Sequence, residues 1–230
     1  MLDHTRGLGR TLADRLFVRG KVEDVDQITG RMRRITIAAP GLSWTPGQQI
    51  RVTADGLLTR RTYSVWDYDG SSLQLCVLDH GDGPGARWAR SVRPGDEVVF
   101  GGPEGTFTPR PSSPYHVFAG EETAAVAFGP MLRALGDAPV YGAVEVDTPE
   151  DRLPLDLTWC YRQGVPAASS ATLVAAVRDL ALPDEPGTAY VAGEARTVQA
   201  VRDHLVRERG WPRRSVLTKP FWTPGKKGME

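Results

Sequence analysis

The grammar of the chain changes once, at Thr108-Pro109-Arg110-Pro111-Ser112-Ser113-Pro114, and this change constrains the fold more than any single motif. Prolines at this density continue neither a helix nor a central strand, so an element boundary falls here. Before it, short β-branched and aromatic runs alternate with turn residues. Phe17–Val22, Arg34–Ala38, Ile50–Val52, Arg60–Trp66, Leu73–Leu78 and Glu97–Phe100 read as six strands, with one helix over Gly85–Val92. That spacing predicts a small antiparallel barrel or sandwich. After the boundary, strands and helices alternate. Tyr115–Ala119, Val140–Val146, Leu157–Tyr161, Ala189–Gly193 and Ser215–Thr218 read as strands, and Thr123–Leu135, Ala171–Leu180 and Val198–Arg209 as helices. Such alternation predicts a mainly parallel sheet flanked by helices. The expected plan is a two-domain chain: an N-terminal antiparallel β-barrel over 1–110, a Pro-rich hinge, and an α/β domain over 115–230, with a ligand cleft where they meet. Residues 1–17 carry Leu8, Leu12 and Leu16 at helical spacing and read as a short helix or a tail.

Charge and cysteine content remove several function classes. The 28 basic residues balance 28 acidic ones, which disfavours a general nucleic-acid binder. Cys76 and Cys160 are far apart and no CxxC exists, which argues against an iron–sulfur cluster or structural zinc. The opening residues lack the apolar core of a signal peptide, and no apolar run reaches membrane-spanning length. A soluble cytoplasmic protein is expected, with a monomer as the working assumption.

The first chemically suggestive stretch is Arg60-Arg61-Thr62-Tyr63-Ser64-Val65-Trp66. As a strand it turns Arg61, Tyr63 and Val65 one way and Thr62, Ser64 and Trp66 the other. A guanidinium beside a phenol suits a flat ring that also bears phosphates; an ordinary exposed edge strand is the alternative. After the next strand, Asp79-His80-Gly81-Asp82-Gly83-Pro84-Gly85-Ala86-Arg87-Trp88 is a glycine-rich turn running into a helix. Free N–H groups at a helix start favour a phosphate, although the turn has no P-loop lysine and a ligand-free loop remains open. In the second half, Ala119-Gly120-Glu121-Glu122-Thr123 and Ala192-Gly193-Glu194 place glycine at the carboxyl ends of parallel strands, where such sheets bind ligands. Thr123 is the expected N-cap. The GxGxxG fingerprint is absent, and plain strand–helix connections are the alternative.

Taken together these segments resemble the siderophore-interacting proteins, NAD(P)H-dependent flavin reductases of ferric siderophores that share the ferredoxin-reductase plan. The RxYS/T signature of that family is matched by Arg61 to Ser64, and its His-Gly-Asp-Gly stretch by Leu78 to Ala89, with Asp79 inserted before His80. The PGD and GPxGxF segments are matched by Pro94 to Asp96 and Gly102 to Phe107, and the AGDET motif by Ala119 to Thr123. Trp159 to Arg162, Ala192 to Glu194 and Phe221 to Gly225 complete the series in order. The resemblance implies FAD in the barrel, with Arg61, Thr62, Tyr63 and Ser64 at the isoalloxazine and phosphate arm. Leu78, His80 and Gly81 would lie at the ribityl or adenosine part, Gly85, Ala86 and Trp88 at the pyrophosphate turn, and Thr106 would belong to the same cofactor site. Gly120, Glu122, Thr123, Gly193 and Glu194 would border a site for NADPH or NADH, with Arg162 at a 2′-phosphate and Trp222 at the flavin edge. A structural loop histidine, a surface arginine and a core tryptophan are the alternatives for His80, Arg162 and Trp222.

The implied activity is a relay of electrons from NAD(P)H through FAD to ferric iron in a siderophore or another ferric chelate, releasing Fe(II). No residue is needed as nucleophile or general base, because the flavin carries the chemistry. Three departures stand out: a short segment before Arg61, Glu121 where the family has aspartate, and Thr223-Pro224 where a basic residue is common, followed by Lys226 and Lys227. The rival readings are a related flavin reductase serving a redox protein or small organic acceptor, and a non-enzymatic flavin- or siderophore-binding protein.

Overall fold

The computed structural model describes residues 17–54 and 59–225, so the expected N-terminal helix and the pair Lys226 and Lys227 lie outside the described residues. The first half forms six strands: β1 (Val18–Gln27), β2 (Met32–Ala38), β3 (Gln49–Thr53), β4 (Arg60–Tyr68), β5 (Ser72–Leu78) and β6 (Glu97–Phe100). They close into a barrel in the order β1-β2-β5-β4-β3-β6, with every pair antiparallel. Period-two alternation drives the closure: Ile35, Ile37, Ile50, Val52, Leu73 and Leu75 point inward and are fully buried. β4 pairs with β3 on one side and β5 on the other, so the edge-strand reading of Arg60–Trp66 does not hold. Helix α1 (Pro84–Ser91) starts with proline in its first turn and buries Ala86 and Ala89 against the barrel.

The second half runs β7 (His116–Glu121), α2 (Glu122–Leu135), β8 (Val140–Val146), β9 (Thr158–Tyr161), α3 (Ala171–Arg178), β10 (Thr188–Glu194), α4 (Ala195–Asp203) and β11 (Val216–Trp222). The sheet order is β11-β10-β7-β8-β9, and all its pairs are parallel. β7 and β10 are buried along their whole length, as central strands covered on both faces must be. Two expectations need correction. The N-cap of α2 is Glu121 rather than Thr123, because the Glu121 carboxylate accepts from the Thr123 N–H. The last strand continues past Thr218 to Trp222, because Pro220 sits on an edge strand, where a missing N–H is tolerated.

The junction between the halves is packed. One core cluster draws Met32, Trp66, Cys76 and Phe107 from the first half together with Phe118, Phe128, Met131 and Tyr190 from the second. Trp66 lies against α2 at Gly129, where a Cβ would come within 2.4 Å of the indole. The Arg133 guanidinium sits 5.0 Å over that ring and donates to the Trp66 carbonyl. Arg31, from the β1–β2 turn, reaches Asp151 at 2.9 Å and Glu122 at 3.1 Å. The Pro-rich bridge is itself pinned, since the Arg110 N–H donates to the Tyr190 hydroxyl at 2.7 Å. Two consecutive residues, Val65 and Trp66, are therefore both buried: one fills the barrel, the other the junction.

Candidate functional site

Tyr63 is the centre of the first polar constellation. It packs on the barrel cluster, and its ring stacks on Trp88 of α1 at 5.4 Å between centroids and 30° between planes. Its hydroxyl is buried and has no hydrogen-bond partner among the described residues. Burial accordingly pushes its pKa well above the usual phenol value. Gly85 lies beneath it: an added Cβ would sit 2.6 Å from the hydroxyl and 3.5 Å from the Arg61 side chain. Among the described residues Arg61 donates to the neighbouring Arg60 carbonyl at 2.6 Å and pairs with no group of opposite charge. β4 thus presents a phenol and a guanidinium to the first turn of a helix that has no side-chain cap. An unsatisfied buried hydroxyl costs about 1–3 kcal/mol, so the arrangement is stabilised when an acceptor or donor arrives. The preceding turn is held by Arg90, which donates to Asp79, to the Gly81 carbonyl at 3.0 Å and to Asp82 at 3.1 Å.

The second constellation lies where the carboxyl ends of β7, β10 and β11 meet. The strand order reverses between β7 and β10, which is where open parallel sheets form a ligand crevice. Glu121 occupies that point, buried, and accepts from the Thr123 N–H at 2.8 Å, from the Thr123 hydroxyl and from the Trp222 indole N–H at 3.0 Å. Burial, reinforced by the charge of Glu122, pushes its carboxyl up to about 7. Next to it, Glu122 takes a two-pronged contact from Arg162, whose second neighbour is Glu145 at 3.9 Å. Glu194, the N-cap of α4, is also buried; the N–H groups of Ser169, Arg196 and Thr197 outweigh that burial and hold its carboxyl below the usual range.

A third feature opens between the halves. A cleft of about 470 Å³ is lined by Gln49, Thr106, Phe107, Arg110 and Lys219. The Lys219 ammonium lies 5.9 Å from the Phe107 ring and 5.8 Å from the Phe221 ring, and burial lowers its pKa. Gln49 pairs directly with Ser64 across β3 and β4, so this cleft begins one strand from the Tyr63 stretch.

Residues 44–107 match the family model described as the siderophore-interacting FAD-binding domain, and residues 113–225 match the model described as siderophore-interacting protein. The chain belongs to the siderophore-interacting protein family. The ferric vibriobactin reductase ViuB of Vibrio cholerae is 30% identical over 178 residues, covering 72% of this chain and 65% of that protein. The chain therefore spans somewhat less than two thirds of this curated relative. A siderophore utilization protein from T. fusca superposes with a TM-score of 0.81 at 24% identity, covering 93% of this chain and 95% of the other. The ferredoxin reductase of carbazole 1,9a-dioxygenase superposes with a TM-score of 0.75 at 19% identity, covering 90% of this chain and 69% of that one, so the fold is ferredoxin-reductase-like. An FAD-binding domain is present, and among the described residues no helix is long and apolar enough to cross a membrane.

The residues that carried the family resemblance fall into separate groups. Arg61, Tyr63, Gly85 and Trp88 come together, with Ala86 buried beside them. Thr62 and His80 are exposed, Gly81 lies in the turn held by Arg90, and Leu78 packs against the junction core. Thr106 lines the Lys219 cleft. Thr123, Gly193 and Trp222 converge on Glu121. Arg162, expected at a nucleotide phosphate or on the surface, is neither free nor exposed: its guanidinium is committed to Glu122 and its side chain is 8% exposed. Sequence reasoning passed over Arg31, Lys219 and the role of Glu121. Only Glu121 had a local signal, an acid placed two residues before the threonine of a helix start. Arg31 and Lys219 gain their partners from segments distant in the chain.

Proposed function

We propose that this chain is an FAD-dependent oxidoreductase that passes electrons from NAD(P)H to ferric iron held by a siderophore or another ferric chelate, releasing Fe(II). The observation that carries the reading is the buried, unpartnered Tyr63 hydroxyl over Gly85, inside the segment that matches an FAD-binding domain. The residues present fit that group. Arg61 supplies a charge for a phosphate, the α1 start supplies N–H groups, and Gly85 leaves the space a Cβ would fill. FAD, when bound, accepts an electron pair from a nicotinamide and returns electrons singly, which reduction of Fe(III) requires. The protein's part is to hold that group on β4, to keep the junction dry through Trp66 and α2, and to offer the crevice at Glu121 to the electron donor. The reductase name of the Vibrio cholerae relative supports the choice of a ferric chelate as acceptor.

The test is an anaerobic titration of the purified yellow protein with NADH and NADPH, then with ferric chelates, followed at the flavin absorbance. Bleaching by a nicotinamide and recovery on adding a ferric chelate are expected. Absence of bleaching by either nucleotide sinks the reading. Bleaching that a redox protein reverses but ferric chelates do not would move the acceptor to the rival class.

A further inference from the structure

We propose that Glu121 is the positioning residue for Trp222: its carboxyl fixes the indole across the crevice at the ends of β7, β10 and β11, and so governs entry of the electron donor. The second clause rests on the proposed reductase function; the first does not.

Glu121 itself cannot touch a ligand in this arrangement, because it is 2% exposed. It acts through what it holds. As N-cap of α2 its carboxyl is tied to the helix by the Thr123 N–H at 2.8 Å and by the Thr123 hydroxyl. On its other side it lies against the α-carbon of Gly193, where a Cβ would come within 2.5 Å of its Oε1. The carboxyl therefore has little freedom to turn. The same Oε1 accepts from the Trp222 indole N–H at 3.0 Å. An indole has only this one polar group, so a single bond sets which way a half-buried tryptophan faces.

The strand that carries Trp222 is shaped for this placement. β11 runs in register with β10 until Gly193 pairs with Pro220; Glu194 then pairs with Trp222, leaving Phe221 as an extra residue. The slip brings the indole to the Glu121 carboxyl at the carboxyl end of β7, and Pro220 and Pro224 restrict the backbone around it.

The charges around Glu121 make the contact responsive. Glu122 neighbours it on α2, Glu145 lies opposite it in register on β8, and Glu194 ends β10. Arg162 from the end of β9 and Arg31 from the barrel face this group, but they pair with Glu122, Glu145 and Asp151 and not with Glu121. Among the described residues its carboxyl has no cation of its own, and it is pushed up to about 7 by burial, then by Glu122. A proton on either oxygen converts an acceptor into a donor. One of the three donors converging on Glu121 then loses its partner, and the indole N–H shares an oxygen with the Thr123 hydroxyl.

The experiment uses the full chain, wild type, Glu121→Gln, Glu121→Asp and Trp222→Phe. The Trp222 emission is taken as the difference between each form and the same form carrying Trp222→Phe, from pH 5 to pH 9. The wild type is expected to show a shift centred near neutral pH, which Glu121→Gln abolishes and Glu121→Asp restores in part. In the FAD-loaded protein, anaerobic stopped-flow reduction by NADH and NADPH is expected to show about a tenfold change in apparent nucleotide affinity in Glu121→Gln, the size of one lost hydrogen bond, with flavin content unchanged. A Trp222 signal and a nucleotide affinity in Glu121→Gln that match the wild type at every pH overturn the proposal. If Glu121→Gln does not fold, the Glu121→Asp comparison decides it: a Trp222 signal identical to wild type overturns it. Wild-type protein that no nicotinamide bleaches defeats the proposed function instead, while the emission measurement still decides the role of Glu121.

Discussion

Two places in the molecule press a polar side-chain tip against a glycine, and they differ in what the tip has to bond. At Tyr63 the hydroxyl meets the Gly85 α-carbon and finds no partner. At Glu121 the carboxyl meets the Gly193 α-carbon and three donors satisfy it. The barrel site is thus incomplete by itself, as the proposed cofactor seat should be, whereas the sheet site is closed by the chain's own indole. The contrast teaches that a glycine at a close approach marks a tight fit without saying whether a ligand or the protein fills it. The unpaired polar atom makes that distinction.

The largest effect is expected at the closed site. Gly193 has φ of +116°, and a Cβ there would strike the fixed Glu121 carboxyl. Gly193→Ala should destabilise the protein by about 3 kcal/mol, seen as a lower midpoint in urea unfolding. A midpoint equal to wild type would show that the Glu121 site yields easily and would erase the contrast.

Next comes the clamp that holds the two halves around both sites. Arg31→Met removes the ion-pair partner of Asp151 and one partner of Glu122, and should cost about 2 kcal/mol at neutral pH. The sign with pH follows from Asp151. Burial alone would raise its pKa, but the Arg31 bonds overcome this and hold it below the usual carboxylate range. The stabilisation is therefore complete above that range and is lost as pH falls through the depressed value. The gap between wild type and Arg31→Met in urea unfolding should narrow on acidification; a gap that widens would contradict the assignment.

At the open site the effects move from stability to binding. Arg61→Ala should weaken FAD retention about tenfold, measured by flavin fluorescence on dilution, with little change in the urea midpoint. Protein that keeps its full yellow colour would remove Arg61 from the seat. The smallest effect sharpens the comparison most. Tyr63→Phe deletes the unpaired hydroxyl, so the FAD-free protein should gain about 1 kcal/mol while FAD binds more weakly. A loss of stability in the FAD-free form would mean that the hydroxyl already has a partner.

Much of this plan was legible in the residues. The inward alternation of Ile50 and Val52 and the apolar runs of β7 and β10 are local patterns, and each became the strand it predicted. Gly85 and Tyr63 were also readable as a pair of suspects, because turn chemistry and strand alternation are properties of neighbours in sequence. What stayed hidden depends on contacts between distant segments. Nothing near Arg162 announces that Glu122, 40 residues earlier, takes its guanidinium. Nothing near Arg31 announces Asp151, 120 residues later. The expected hinge became a pinned bridge because Trp66, α2 and Tyr190 share one core, which no window of sequence contains. Periodicity, turns and ordered motifs were enough to specify the barrel, the parallel sheet and the family. Which polar groups remain unpaired emerged only from the folded contacts. That is a balance of desolvation against hydrogen bonds, and it is struck only when separate elements are brought into contact.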